Sequence, residues 1–360
     1  MIVFVYGTTA EAIKLGPVIR RLVSQGVQVE QWVTFQQART VFASIGELGL
    51  PEPAEVLAMG ARGRPLAGVL DAVIWSFSIA GWLSKNGRRL RRRLAASQSI
   101  VVVHGDTMTS VVGSLIGKAL RTPVAHVEAG LRSGNWRHPF PEELDRRVVG
   151  RLAHIHYAPS QAAVAALSGR KNVVWTHGNT ATDALLEHDT TYNRASQHPF
   201  GLVLLHRFEF LNNRILVSNT IAQLLEHAPI ALHFVVDDHA SGAIVPEIAK
   251  HANSRTPVTV TGKLQHSEFV ELVASAQFIV TDSGGLQEEA SVLGTPTLLH
   301  RRATERDDGI GRNVILSGWS GKVMGGFLEN YDTYRHPMQS LIDSPSDIVV
   351  RDLLERGYGG

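Results

Sequence analysis

Short β-rich runs alternate with helix-length amphipathic segments along almost the whole chain, and no other feature constrains the fold as tightly. IVFVY, VQVEQWVTF, SIVVVHG, PVAHVEA and IHYAPS come first, followed by VVWTHG, GLVLLH, IALHFVV, VTVTG, QFIVTDS and TPTLLH. Strands joined through helices lie parallel, so the alternation predicts an α/β protein with doubly wound parallel sheets built from β-α-β units. At 360 residues the chain exceeds the size at which one core stops growing, which predicts two such Rossmann-like domains with a ligand cleft between them. The segment SQAAVAALSGRKNVVWTHGN holds no strong core strand before Val173, which sets the expected boundary near residue 168. The first domain is then 1–168 and the second 169–344, with a helical pattern, DIVVRDLLERG, in the tail.

Hydrophobic residues make up 44% of the chain and charged residues 19%, a globular composition with ample core. A net charge of +2 gives no mandate for nucleic acid as a partner. The one concentrated basic run, Arg88, Arg89, Arg91, Arg92 and Arg93, lacks interleaved aromatics and reads as a solvated helix face. Cysteine is absent, which removes a disulfide scaffold, a thiolate nucleophile and Cys-ligated zinc. The longest uncharged stretch, Ala72 to Ser84, falls short of the roughly 20 residues needed to span a bilayer, and the N-terminus lacks the basic region of a signal peptide. A cytoplasmic protein without membrane association is expected.

Asp106, Glu128 and Glu142 lie just beyond apolar segments, in VVVHGDT, PVAHVEAG and PFPEELDRR. Carboxylates at the carboxyl ends of parallel strands are placed for proton chemistry, although any one of them can equally be a helix cap or a solvated loop acid. Gly7-Thr8-Thr9-Ala10-Glu11 joins the first strand to a helix carrying Lys14, and a second glycine turn, Ser283-Gly284-Gly285, opens the helix that contains Glu289. Such turns free backbone N–H groups to hold an anion or diphosphate, though a plain tight turn would look the same. Neither a dinucleotide fingerprint nor a Walker loop is present. His206 and Arg207 end the strand GLVLL, where a histidine can act as acid, base or phosphate partner. His154 with His156, and Asp237 and Asp238 with His239, lack a further ligand, so no metal is expected.

Taken in order and spacing, GTTAEAIKLGPVI, VVVHGDTMTS, PVAHVEAGLRSGNWRHPFPEELDRR, HGNTATDAL, LLHRFE, TDSGGLQEEASVLGTP and TERDDG resemble the UDP-N-acetylglucosamine 2-epimerases, non-hydrolysing type, over nearly the whole chain. The resemblance implies a glycosyltransferase-B-like fold in which UDP sits mainly on the second domain and a C-terminal helix, about 345–360, returns to the first. It assigns Asp106, Glu128, Glu142 and His206 to catalytic positions, and Lys14, Arg146, Phe269, Ser283, Gly284, Gly285 and Glu289 to the nucleotide sugar. It further implies elimination of UDP to a 2-acetamidoglucal and re-addition, without metal or other cofactor, in a homodimer.

The chain departs from the family pattern in places. Thr9 and Ala10 stand where the family has arginine and proline, Gln37 and Asp237 where histidine is common, and Phe208 where a second arginine follows His206. Losing an arginine beside a phosphate removes a bidentate contact. With the catalytic positions kept and the first loop changed, the expected consequence is loss of substrate activation, seen as a hyperbolic rate curve for UDP-N-acetylglucosamine. The competing readings are a hydrolysing relative, an epimerase for a modified nucleotide sugar, a glycosyltransferase of the same fold, and a non-catalytic UDP-sugar sensor.

Overall fold

The computed structural model describes residues 1–35, 38–60, 69–133, 141–187, 198–251, 255–304, 306–338 and 343–359. The chain divides into two compact units, Met1–Glu187 with Ile342–Gly360, and His188–Leu341.

Unit 1 begins with β1 (Ile2–Tyr6), α1 (Thr9–Ser24), β2 (Val29–Val33), α2 (Ala38–Glu47), β3 (Glu55–Val56), α3 (Val69–Ala95) and β4 (Ile100–His104). It continues with α4 (Met108–Leu120), β5 (Val124–Val127), α5 (Glu142–Leu152), β6 (Ile155–Ala158), α6 (Gln161–Ala166), β7 (Val173–Trp175) and α7 (Thr180–Leu186). Its strands form one parallel sheet in the order β3-β2-β1-β4-β5-β6-β7. Every residue of β1, β4, β5 and β6 is buried, as expected of strands covered by helices on both faces. Gly113 lets α4 lie flat on this sheet, because a Cβ there would stand 2.7 Å from a Val103 methyl.

Unit 2 follows with β8 (Phe200–Leu204), α8 (Phe208–Leu211), α9 (Arg214–His227), β9 (Ala231–Val235), α10 (Asp238–Lys250), β10 (Val258–Thr261) and α11 (His266–Ser275). Then come β11 (Phe278–Thr281), α12 (Gly284–Leu293), β12 (Thr297–Leu299), β13 (Val314–Leu316) and α13 (Gly321–Asn330). The sheet order is β10-β9-β8-β11-β12-β13, again with parallel neighbours. Its core joins Phe210, Phe234, Phe278 and Phe327 from four elements.

The last helix, α14 (Pro345–Glu355), belongs to unit 1, where Val349, Val350 and Leu353 enter the same core as β1 and α1. Asp352 Oδ2 accepts the Tyr157 hydroxyl at 2.8 Å, and Asp183 Oδ2 accepts the Ser346 N–H at 2.7 Å. Leu353 is fully buried, so Leu353→Ala should cost about 3 kcal/mol, read as a lower urea midpoint.

The boundary expected at residue 168 is corrected. VVWTHG, grouped by sequence with the second sheet, is β7 and pairs with β6 through His156–Val173, Tyr157–Val174 and Ala158–Trp175. Residues 169–187 therefore lie in unit 1. Amphipathic alternation marks a strand without naming its sheet, and only the hydrogen-bonded partner does so.

Candidate active site

Both sheets have a topological switch point, where connections leave neighbouring strands in opposite directions and the strand ends open a crevice. In unit 1 it lies between β1 and β4, and in unit 2 between β8 and β11. Of the residues singled out by sequence, Lys14 and Asp106 follow β1 and β4, and His206 and Ser283 follow β8 and β11.

In unit 1 the loop after β1 is fixed by Glu11. Its carboxylate accepts the N–H groups of Gly7 at 3.0 Å and Thr8 at 2.9 Å and the Thr8 hydroxyl at 2.8 Å, while Thr8 caps the Glu11 N–H. This is a capping box at the start of α1. The other Glu11 oxygen takes the Thr107 hydroxyl at 2.6 Å and that of Ser110 at 3.3 Å, tying the β1 loop to the β4 loop. Burial pushes this carboxyl up, and the hydrogen bonds from Thr107, Gly7 and Thr8 pull it partly back. Thr9 and Ala10 are thus the first two residues of α1, in a turn whose start is set by Thr8 and Glu11. Gln37 lies outside the described residues.

Lys14, one turn into α1, reaches both oxygens of Glu128 at 3.0 and 3.2 Å, and His104 Nε2 stands 3.2 Å from the same carboxylate. Glu128 holds φ at +63°, a left-handed backbone that is uncommon and costly for a residue with a Cβ. Gly105, at φ +65°, leaves the room for it, since a Cβ there would come within 3.3 Å of Glu128 Oε2. His126 Nε2 bonds the Gly105 carbonyl at 2.7 Å, and burial lowers this imidazole to about 4. The ring is therefore neutral and its Nε2 carries the proton.

Asp106, at the next position after Gly105, pairs with Arg146 of α5 at 2.5 Å. Arg146 Nη1 also lies 3.5 Å from the buried Glu143, which accepts Arg147 Nε at 2.9 Å and the Ser133 N–H at 3.1 Å. Those donors draw the Glu143 carboxyl below its ordinary value against the opposing pull of burial. Glu142 is the first residue of α5, not a strand-end acid as the sequence suggested, because a helix begins at that position. Its Oε2 is buried without a hydrogen-bond partner among the described residues.

In unit 2, β8 leads to His206 and Arg207, whose N–H groups both donate to the buried Asp282 at 2.9 to 3.1 Å. Arg207 Nε donates to the Asp282 carbonyl at 2.9 Å, so Asp282 binds the loops after β8 and β11 together. Burial raises its carboxyl, opposed by the charge of His206 and by these two N–H bonds. Ser283 caps α12, whose first turn carries Gly284 and Gly285, with Glu289 further along the helix and half-buried. Phe269 is half-buried on α11. Arg306 holds Glu288 at 2.8 Å. Of the departures, Asp237 caps α10 through the Ala240 N–H at 2.8 Å, and Phe208 is 65% exposed, stacked on His239 with ring centroids 5.7 Å apart.

His300, after β12, has Thr220 and Ser317 hydroxyls at 3.0 Å from its two ring nitrogens, and burial lowers it to about 4. Unfolded, it takes a proton near 6.5. Between those values the unfolded chain binds more protons, so the His300 contribution is intact above 6.5 and lost as the pH falls toward 4. The expected loss is about 3 kcal/mol. Thermal melts of His300→Asn across this window should show a flatter acid decline than the parent protein.

Among the described residues no group of three or more His, Asp or Glu side chains is arranged for a metal, and no helix is long and apolar enough to cross a membrane. His154 serves instead as acceptor for the Val124 N–H at 3.2 Å. His104, Glu11 and Asp282 were not singled out by sequence. His104 stood beside Gly105-Asp106 and Asp282 beside Ser283, so adjacency to a glycine turn was the available signal.

The sequence profile of UDP-N-acetylglucosamine 2-epimerase matches residues 89–322. The chain belongs to the UDP-N-acetylglucosamine 2-epimerase family. These epimerases are isomerases, and among the curated relatives the Bacillus subtilis (strain 168) UDP-N-acetylglucosamine 2-epimerase is 32% identical over 99% of this chain and 90% of its own length. The crystal structure of the Neisseria meningitidis UDP-GlcNAc 2-epimerase bound to UDP-GlcNAc superposes with a TM-score of 0.77 at 26% identity, covering 98% of this chain and 99% of that one. The Methanocaldococcus jannaschii epimerase in complex with UDP-GlcNAc and UDP gives 0.76 at 25% identity, with 99% of both chains covered. The expected pair of parallel-sheet α/β domains of glycosyltransferase-B type is what the epimerase family shares with this chain.

Proposed function

We propose that the chain interconverts UDP-N-acetylglucosamine and UDP-N-acetylmannosamine without hydrolysis. The observation that carries the reading is Glu128, held in a left-handed backbone over Gly105 with Lys14 and His104 on its carboxylate. A buried acid in a strained backbone at a sheet switch point is a costly arrangement for a mere cap.

In this reading a carboxylate of the unit 1 set, Glu128, Glu142 or Asp106, removes the proton at sugar C2. The C1–O bond to the diphosphate breaks, UDP leaves with the electron pair, and a C1–C2 double bond remains. A protonated acid of the set returns a proton to the opposite face of C2 as the UDP oxygen re-forms the bond to C1. No redox partner is consumed. The weakly acidic C2 proton means that the barrier falls mainly through stabilisation of the leaving diphosphate. That role goes to the α12 N-terminus, with Ser283, Gly284 and Gly285, and to His206, with Glu289 on the ribose and Phe269 against the nucleotide. Lys14 and Arg146 orient the carboxylates they are bonded to and supply positive charge beside them. The relatives crystallised with UDP-GlcNAc support this choice of substrate.

The test is incubation with UDP-N-acetylglucosamine in deuterated water, with NMR at sugar C2 and the anomeric phosphate. Deuterium at C2 in both epimers, with UDP still attached, is the expected result. Stoichiometric free UDP and N-acetylmannosamine would show the hydrolysing reaction instead. Turnover only with an added acceptor would show a transferase, and binding without exchange a sensor.

A further inference from the structure

Three acids, Asp106, Glu142 and Asp145, crowd the loop after β4 and the first turns of α5. Arg146 serves Asp106 and reaches toward Glu143, and Arg147 serves Glu143. Neither arginine is bonded to Glu142 Oε2 or Asp145 Oδ2, both buried without a hydrogen-bond partner among the described residues. Asp145 is 8% exposed and stands three positions after Glu142, on adjacent turns of one helix face. A buried carboxyl with no donor to receive it, and with other acids close by, ionises at a cost. The proton chemistry above makes no use of Asp145.

We propose that Asp145 is a positioning residue of unit 1, a buried carboxyl that holds a proton and so adds no charge beside Glu142 and Asp106. This rests on the function proposed above. The neighbouring charges agree. Burial, with Asp106 and Glu142 next, pushes the Asp145 carboxyl up to about 7. The packed elements α4 and β5 contribute only exposed Lys118 and the neutral His126 as titratable groups. A neutral Asp145 keeps a third fixed negative charge away from Asp106 and Glu142 at the start of α5. As the pH rises past neutrality Asp145 ionises, and a further negative charge appears beside Asp106 and Glu142.

The experiment has two readouts on the full chain. Carbon-13 at the aspartate carboxyls is followed by NMR against pH without substrate, with Asp145→Asn identifying the resonance by its loss and Glu142→Gln by its shift. The expected midpoint lies near 7 in the parent protein, falling in Glu142→Gln. A midpoint in the ordinary aspartate range, about 3.9, overturns the proposal whatever the enzyme turns over. With UDP-N-acetylglucosamine, Asp145→Asn should keep KM within about twofold while the kcat profile loses its ionisation near 7. Identical profiles for the two proteins would likewise overturn it. Absence of turnover in the parent protein would count against the proposed function alone, because the NMR midpoint is independent of it.

Discussion

Glu128→Gln should lower kcat for epimerisation about a thousandfold while leaving the protein folded. Glutamine keeps the shape of the side chain and its fit over Gly105, where the carboxylate oxygen stands 3.3 Å from the place a Cβ would occupy. What it removes is the charge that Lys14 meets at 3.0 Å and the basicity needed at sugar C2. Lys14 is then left half-buried without its carboxylate, which costs roughly 1 to 3 kcal/mol, smaller than the catalytic loss. Deuterium wash-in at C2 measures the chemistry, and circular dichroism measures the fold. A kcat within tenfold of the parent would assign the base to Glu142 or Asp106.

Asp282→Ala should weaken unit 2 by about 3 kcal/mol and lower its melting temperature by roughly 6 °C or more. The carboxylate is 1% exposed and is the acceptor for the N–H groups of His206 and Arg207. Alanine supplies no side-chain acceptor, so those two donors lose their bonds, and of the ties between the loops described above only main-chain ones such as Arg207 Nε to the carbonyl of residue 282 remain. On the function proposed above, UDP affinity, measured calorimetrically, should fall at least tenfold, since Asp282 ties the turn at Ser283 to the loop that carries His206. An unchanged melting temperature would mean that the remaining sheet pairing of β8 with β11 fixes the loops by itself.

Much of this was legible in the sequence because its physical cause is local. Period-two and period-3.6 hydrophobicity marked most of the strands and their crossovers, and the glycine turns after β1 and β11 marked carboxyl ends of strands beside the two switch points. Lys14 was legible as a cation at the start of a helix and Arg146 only through the family resemblance, neither as the partner of Glu128 or Asp106. Those pairs join residues 114 positions apart in one case, and no local pattern encodes such a separation. Glu142 was legible as an acid near the site and misplaced as a strand end, since a helix start and a strand end both follow an apolar run. The departures divide in the same way: Asp237 is a helix cap that its spacing to Ala240 could have shown, whereas the stacking of Phe208 on His239 needs the third dimension.

The sequence alone determined two parallel α/β sheets and the family, because alternation, turn residues and motif spacing are properties of neighbouring residues. Tertiary structure decided that β7 belongs to the first sheet, that α14 returns to it, that Glu128 is carried on a left-handed backbone beside Lys14, and that Asp145 is buried with its Oδ2 unmatched among the described residues. Each depends on which distant groups exclude water from one another, and burial and pairing of that kind exist only once the chain has closed on itself.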